Sequence, residues 1–258
     1  MEYEKIKNYW EDRAKDDSSP QSTTEDYYLR QLEIAKLKEA IFRYGSKIKI
    51  VGDFGCGDGF STISLAKEFP SIHFIGYDYS QSMIRNAEKR KKEEGVSNVE
   101  FKVIDVLKER ASQSFDMIYT DRVIINIPSW EEQKKAIDLI FESLNKGGVY
   151  VIIENFIDGH NNFNKLREEF GLDKIEMRWH NLFLDKNTLM PFLEKKSRII
   201  MDENFTSTYF IVSRIVYTKI CKLENKKPDY FDIHHKLGSM LPPSGNYGPT
   251  SIMIAEKK

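Results

Sequence analysis

Cysteine is nearly absent: Cys56 and Cys221 are the two in a chain of 258 residues. Two thiols cannot build a disulfide scaffold or a four-ligand zinc site, and their scarcity points to the reducing cytoplasm. Long apolar runs are missing as well. No stretch approaches the roughly 20 residues that a membrane span needs, and the opening Met1-Glu2-Tyr3-Glu4-Lys5 has no signal-peptide core. Neither sign of charge is in excess. Lys and Arg total 39 against 40 Asp and Glu, a net charge of −1, so nothing draws the chain as a whole to nucleic acid or an anionic membrane. What is present is apolar material for a substantial core, 40% of residues with 12% aromatic. The length accommodates one large domain or one domain with insertions.

Residues 1–45 read as polar helices: Leu29, Leu32, Ile34, Ala35, Leu37, Ala40 and Ile41 recur at helical spacing, and Gly45 is a stop. This stretch is expected to form a helical cap before a body spanning 46–258. At Ile48-Lys49-Ile50-Val51-Gly52-Asp53 the pattern changes to a buried strand running into glycines. Strand-like runs at 72–77, 99–104, 115–119 and 149–153 then alternate with helical stretches at 61–68, 81–93 and 130–144. Ser129 with Glu132 is a capping box for the last of these helices, and Lys146-Gly147-Gly148 reads as its stop. Such alternation predicts an α/β fold, a mostly parallel Rossmann-like sheet with helices on both faces. Beyond Ile153 the alternation loosens. Residues 158–196 look helical with a break at Arg178-Trp179-His180-Asn181, and 199–201 and 251–255 look like strands. Insertions at about 156–196 and 205–248 are placed to cover an acceptor.

The sharpest motif is Asp53-Phe54-Gly55-Cys56-Gly57-Asp58-Gly59, a strand entering a glycine loop and then a helix. The glycines allow a tight turn and close backbone approach to a ligand. A phosphate-cradling P-loop would need Gly-Lys-Ser/Thr, and Gly59-Phe60-Ser61 has no lysine. A dinucleotide fingerprint would need a third glycine where Phe60 stands, which disfavours an NAD-dependent oxidoreductase. The spacing G-x-G-x-G suits a ligand without a pyrophosphate. Asp78 closes the second strand, where an acid can accept hydrogen bonds from both ribose hydroxyls of an adenosine. Asp105-Val106 follows the third strand, where an adenine amino group could donate. Three acids at three successive strand ends, with this loop, are far more specific than any one of them.

On these residues the chain resembles the class I S-adenosylmethionine-dependent methyltransferases, well over 48–155. The resemblance implies a seven-stranded sheet ending in an antiparallel strand, for which 251–255 is placed. It implies S-adenosyl-L-methionine as cofactor. Asp53, Gly55, Cys56, Gly57 and Gly59 would hold the methionine part, Asp78, Tyr79, Ser80 and Met83 the ribose and adenine, and Asp105 and Val106 the adenine amino group. The N-terminal helices, with Tyr9, Trp10, Arg13, Thr23, Thr24, Tyr28 and Arg30, resemble a cap over the cofactor, and Arg30 would face the methionine carboxylate.

Methyl transfer from a sulfonium is an in-line displacement, so the protein must chiefly align an acceptor; a hydroxyl acceptor also gains from a base. Asp121 and Arg122, after the fourth strand, are expected near the methyl group, in a segment lacking the Asn/Asp-Pro-Pro-aromatic signature of amide and base methylation. Four of the five histidines, His160, His180, His234 and His235, follow Ile153. His180, beside Arg178 and Trp179, is taken as the base. Arg178, Trp179, Tyr209, Arg214, His234 and Tyr247 are taken as acceptor contacts, with the arginines suiting an anion. Asp121, Glu154 and Asn155 also resemble the oxygen ligands of magnesium-dependent catechol-type enzymes, but the expectation is no metal. The run Lys89-Arg90-Lys91-Lys92 meets Glu93-Glu94 at once and reads as a solvated face, not a nucleic-acid site.

A looser resemblance, through Tyr9, Trp10, Arg13 and Ala14, the segment Pro128–Gln133 and Arg178–Asn181, is to small methyltransferases of bacterial capsule and lipopolysaccharide biosynthesis. It implies O-methylation of a sugar or phosphoryl-type precursor of a surface polysaccharide; separately, the chain is expected to be a monomer or homodimer. N-methylation of a small amine and a non-catalytic, cofactor-binding subunit of another methyltransferase are the alternatives.

Overall fold

A computed structural model describes residues 2–16 and 23–258. Two helices come first, α1 (Glu2–Asp16) and α2 (Tyr27–Tyr44); the helical reading across 17–22 lies outside the described residues. Then strands and helices alternate: β1 (Ile50–Phe54), α3 (Phe60–Glu68), β2 (His73–Asp78), α4 (Gln81–Glu94), β3 (Val99–Val103), β4 (Phe115–Asp121), α5 (Trp130–Glu142) and β5 (Leu144–Asn155). After α6 (Ile157–Glu169), α7 (Lys186–Glu194) and β6 (Ser197–Glu203) come α8 (Ser207–Phe210), a π-helical stretch (Ile211–Val216), α9 (Tyr217–Leu223) and α10 (Ile233–Met240), before β7 (Thr250–Lys257) closes the chain.

The seven strands form one sheet in the order β3-β2-β1-β4-β5-β7-β6. β1 pairs in parallel with β2 and β4, and β7 runs against both β5 and β6. The sheet is therefore mostly parallel and ends as expected. Both faces are covered, which is why β5 is unbroken in apolar residues from Val149 to Ile153. Its side chains alternate between two cores: Val149, Val151 and Ile153 pack on the side of α2, α3 and α4, and Tyr150 and Ile152 on the side of α5 and α7.

Two local expectations are corrected. Lys146-Gly147-Gly148 does not end a helix; α5 already ends at Glu142, and these residues belong to β5 at a register shift against β4. Gly147 supplies the left-handed φ of +71° that this irregularity requires. The break around Arg178 is also far longer than a kink: no helix is formed between Glu169 and Lys186.

The N-terminal helix is tied down by polar contacts to the carboxyl-end loops of the sheet. Tyr3 and Lys7 donate to Asp105 at 2.9 and 3.2 Å, and Trp10 donates to the Asn126 side-chain oxygen at 3.1 Å. Glu11 accepts from the hydroxyls of Ser80 and Ser82, each at 2.5 Å, and from the Ser82 backbone N–H at 3.2 Å. These bonds hold α1 against the start of α4. In Glu11→Ala the amide hydrogens of α1 should exchange roughly ten- to a hundredfold faster, with β4 and β5 unchanged. Wild-type protection of α1 in that variant would show that the helix is held by other contacts.

Candidate active site

The site grows out of the turn after β1. Gly55, Gly57 and Gly59 have φ of +84°, +53° and +74°, the left-handed region where other residues are strained. At Gly55 space is short as well: a Cβ would lie 2.2 Å from a Val123 methyl. Below the loop, Asp53 is buried and accepts from the hydroxyls of Thr62 at 2.5 Å and Tyr119 at 2.7 Å; burial still pushes its carboxyl up to about 7. Asp78, at the end of β2, accepts the Gly57 N–H at 3.0 Å and the Ser80 N–H at 2.8 Å. Each of its oxygens keeps a further lone pair for a ligand hydroxyl. Burial raises this carboxyl to about 6.

A cavity of about 340 Å³ opens along this turn. Asp53, Gly55, Cys56, Gly57, Asp78, Tyr79, Met83, Val106 and Arg30 line one end of it. Arg30 donates to the Thr23 hydroxyl and lies over the Phe60 ring, 5.0 Å from its centre. The cavity continues past the carboxyl end of β4, where Asp121, Arg122, Asn126, His160, Arg178, His180 and Arg214 line it among aromatic and aliphatic side chains.

The backbone there is held by Glu154. Its carboxylate, buried at the end of β5, accepts the N–H groups of Val123, Ile124 and Ile125 at 2.9–3.3 Å. Glu154 is thereby engaged in shaping the turn, not aimed at an ion, and Asn155 accepts from the Thr250 hydroxyl at 2.8 Å. The turn also forces Arg122 to a φ of +56°. Its guanidinium pairs with Glu33 of α2 at 2.9 Å and lies 3.6 Å from Asp121. Burial drives the Glu33 and Asp121 carboxyls upward, and Arg122 opposes it in both.

A family pattern described as a methyltransferase domain matches residues 46–197, more than half of the chain. The chain belongs to this family. S-adenosylmethionine is the methyl donor that goes with it, and the residues at the β1 end fit: a glycine turn with no side chain in the way, a carboxylate for paired hydroxyls, and Tyr79, Met83 and Val106 as apolar neighbours. Among relatives, the uncharacterized protein RP028 of Rickettsia prowazekii is 26% identical over 211 residues, 80% of this chain and 78% of that one. The malonyl-[acyl-carrier protein] O-methyltransferase of Bacillus cereus is 29% identical over 141 residues, 54% of this chain and about half, 49%, of its own length. Two solved structures share the fold over nearly the whole methyltransferase. Magnesium protoporphyrin IX methyltransferase of Synechocystis with bound SAM has a TM-score of 0.62 at 14% identity, covering 100% of this chain and 98% of that one. The N-methyltransferase NodS of Bradyrhizobium japonicum with S-adenosyl-L-homocysteine has a TM-score of 0.60 at 14% identity, covering 98% of each.

Several residues expected in the methyltransferase's site lie elsewhere. Asp105 and Ser80 do not line the cavity: α1 takes the Asp105 carboxylate, and Ser80 caps α4 and donates to Glu11. Gly59 sits behind the loop, at the N-terminus of α3. Trp179 is half-exposed against Tyr9 and Lys5, His234 stacks on Tyr217 and pairs with Asp232, and Tyr247 packs beside Gly245. Tyr209 is fully buried behind the wall, bonding Asp26 at 2.5 Å and His235 at 2.9 Å. His180 does line the cavity, stacked on Tyr9 and touching Trp10 and Trp179. Burial first, then Arg178 and Arg13, push its imidazole down to about 4, so it is neutral near pH 7 and a weak base. Sequence reading missed Asp26 and Glu33. Glu33 had a signal: it falls between Leu29 and Leu37 on the helical repeat that marks the buried face.

Gly55→Ala meets both the left-handed penalty and the Val123 methyl, so it should cost about 2–4 kcal/mol in urea unfolding. Gly95→Ala, with a φ of +65° and open space around it, should cost about 1–2 kcal/mol. Equal losses in the two variants would remove the Val123 contact from this account.

Proposed function

We propose that the chain transfers a methyl group from S-adenosylmethionine to a small-molecule acceptor held in the cavity beyond β4, with O-methylation as the first reading. The observation that carries it is the continuity of one cavity from the glycine turn and Asp78 to a separate compartment at Asp121, His160 and His180, roofed by residues of α1, α2 and the 171–185 segment. Asp78 would hold the ribose hydroxyls, the Gly55–Gly57 backbone and Arg30 the methionine part, and Tyr79, Met83 and Val106 the adenine. The bound donor supplies an activated methyl. This chain's own residues exclude water, fix the line of approach and receive the acceptor's proton where it has one.

A sugar or phosphoryl-type precursor of a surface polysaccharide, the expectation from the looser resemblance, is one member of that acceptor class. The named relatives point in other directions, toward a malonyl group on a carrier protein or a porphyrin. N-methylation is the second reading; the N-methyltransferase NodS shares the fold over 98% of both chains. No helix among the described residues is long and apolar enough to cross a membrane.

Calorimetric titration with S-adenosylhomocysteine tests the cofactor half. Asp78→Ala should weaken binding at least tenfold, and NAD should not bind. Loss of affinity in neither variant nor competitor, or tighter binding of NAD, would overturn the reading. The pH dependence follows from the carboxyl raised to about 6. The charged form accepts the ribose hydroxyls, so affinity is full well above pH 6 and falls toward tenfold per unit below it. Asp78→Asn, which cannot titrate, should flatten that part of the profile between pH 5 and 7.

A further inference from the structure

We propose that the acceptor is an amphiphile whose nucleophile carries a hydrogen, a hydroxyl or an amine on an apolar body, that Asp121 receives this hydrogen, and that the apolar body passes out between Ile175, Met177 and Tyr230. The proposal rests on the assignment of the β1 end of the cavity to S-adenosylmethionine.

The first observation is that the cations deepest in the far wall are already matched. Arg122 pairs with Glu33 at 2.9 Å. Arg214 donates to Asp26 at 2.5 Å, faces His235 at 3.2 Å and stacks over Tyr230, 4.6 Å from the ring centre. Of Arg178 and Arg214, the arginines expected from the sequence to suit an anion, Arg214 is held by a buried carboxylate with which an anionic acceptor would have to compete, and Arg178 lines the cavity from an exposed position. The second observation is a buried carboxylate oxygen that lacks a hydrogen bond. Asp121 Oδ1 lies in the cavity wall 3.6 Å from Arg122 Nε, an ion pair too long for a hydrogen bond, and accepts no hydrogen bond among the described residues; His180 Nδ1, which also lines the cavity, is likewise without a hydrogen-bond partner. A buried carboxylate oxygen calls for an N–H or O–H donor and repels a second carboxylate. The third is the mouth. Ile175, Met177 and Tyr230 line the cavity and yet are 39%, 40% and 38% exposed, so large apolar side chains are left wet where a ligand would cover them.

The chemistry balances without another reactant. The lone pair of the acceptor oxygen or nitrogen bonds to the methyl carbon, the carbon–sulfur bond breaks with its pair kept by sulfur, and the acceptor's proton passes to Asp121 Oδ1. Burial raises that carboxyl and makes it a better proton acceptor than a solvated aspartate.

The test titrates the protein saturated with S-adenosylhomocysteine with three probes that share one body: 3-phenylpropylamine, 3-phenylpropan-1-ol and 3-phenylpropanoate. The amine and the alcohol should bind at least tenfold tighter than the carboxylate. Asp121→Asn, checked for an unchanged melting temperature, should narrow that gap to threefold or less while S-adenosylhomocysteine affinity changes by less than threefold. Met177→Ser should weaken the amine and alcohol by three- to tenfold. Equal or tighter binding of the carboxylate, or no binding of any probe to the saturated protein, overturns the proposal. So does an Asp121→Asn variant that loses S-adenosylhomocysteine instead of discrimination, which would place Asp121 on the cofactor. Failure of S-adenosylhomocysteine to bind the wild-type chain is a different result: it removes the cofactor assignment and this proposal with it.

Discussion

Everything at the site depends on where the sheet changes direction. From β1 the chain builds outward through β2 and β3, and from β4 it builds the other way through β5 to β7 and β6. The connections leaving β1 and β4 therefore diverge, and the space between their carboxyl ends cannot be filled by either. Residues that must meet a ligand are the ones that end these strands: Gly55 after β1, Asp78 ending β2, Asp121 ending β4. The glycines are required because the loop turns back against the β4 side, so closely that Gly55 touches the Val123 side chain.

A crevice of this kind would be open to water without the segments laid over it, and their attachment is polar. Asp105 and Glu11 tie α1 to the loops after β3 and β2, and Trp10 bonds Asn126 in the turn after β4. That turn is itself fixed by Glu154, three of whose four hydrogen-bonding opportunities go to consecutive N–H groups. The positive φ of Arg122 is a product of the same turn, and it sends the guanidinium toward Glu33 instead of into solvent. Sheet, turn and N-terminal helices are thus one connected arrangement.

The parts legible in the sequence were those governed by short spacings. Alternating apolar runs gave the strands in order, and Asp53 through Gly59 with Asp78 located the turn and its acidic partner. The parts not legible depend on pairs far apart in the chain. Asp105 sits where an adenine contact was expected, yet Tyr3 and Lys7, about a hundred residues earlier, occupy its oxygens. Tyr209 was expected to touch an acceptor but is turned inward by Asp26 and His235. Within 158–196, read as helical with a break only at Arg178–Asn181, the whole stretch from Gly171 to Asp185 is non-helical; it forms part of the cavity wall through Ile175, Met177, Arg178 and His180, where extended backbone reaches farther than a helix would.

Asp26 shows why the charges around this cavity do not simply report the charge of what enters it. One of its oxygens caps α2 by accepting the Leu29 N–H at 3.1 Å and also accepts the Tyr209 hydroxyl; the other takes Arg214. One carboxylate therefore starts a helix, anchors the insertion through Tyr209 and neutralises a guanidinium in the wall. Arg214 is carried there by a π-helical stretch, a rare helical geometry. Removing either partner would leave a buried charge uncompensated, so the pair is kept by the fold whether or not an acceptor uses it. An arginine counted from sequence as an anion site is here half of a structural pair. The groups left to recognise an acceptor are those whose hydrogen bonds the protein has not already satisfied, and on the far wall these include a carboxylate oxygen and an imidazole nitrogen, beside the exposed Arg178 and apolar surface.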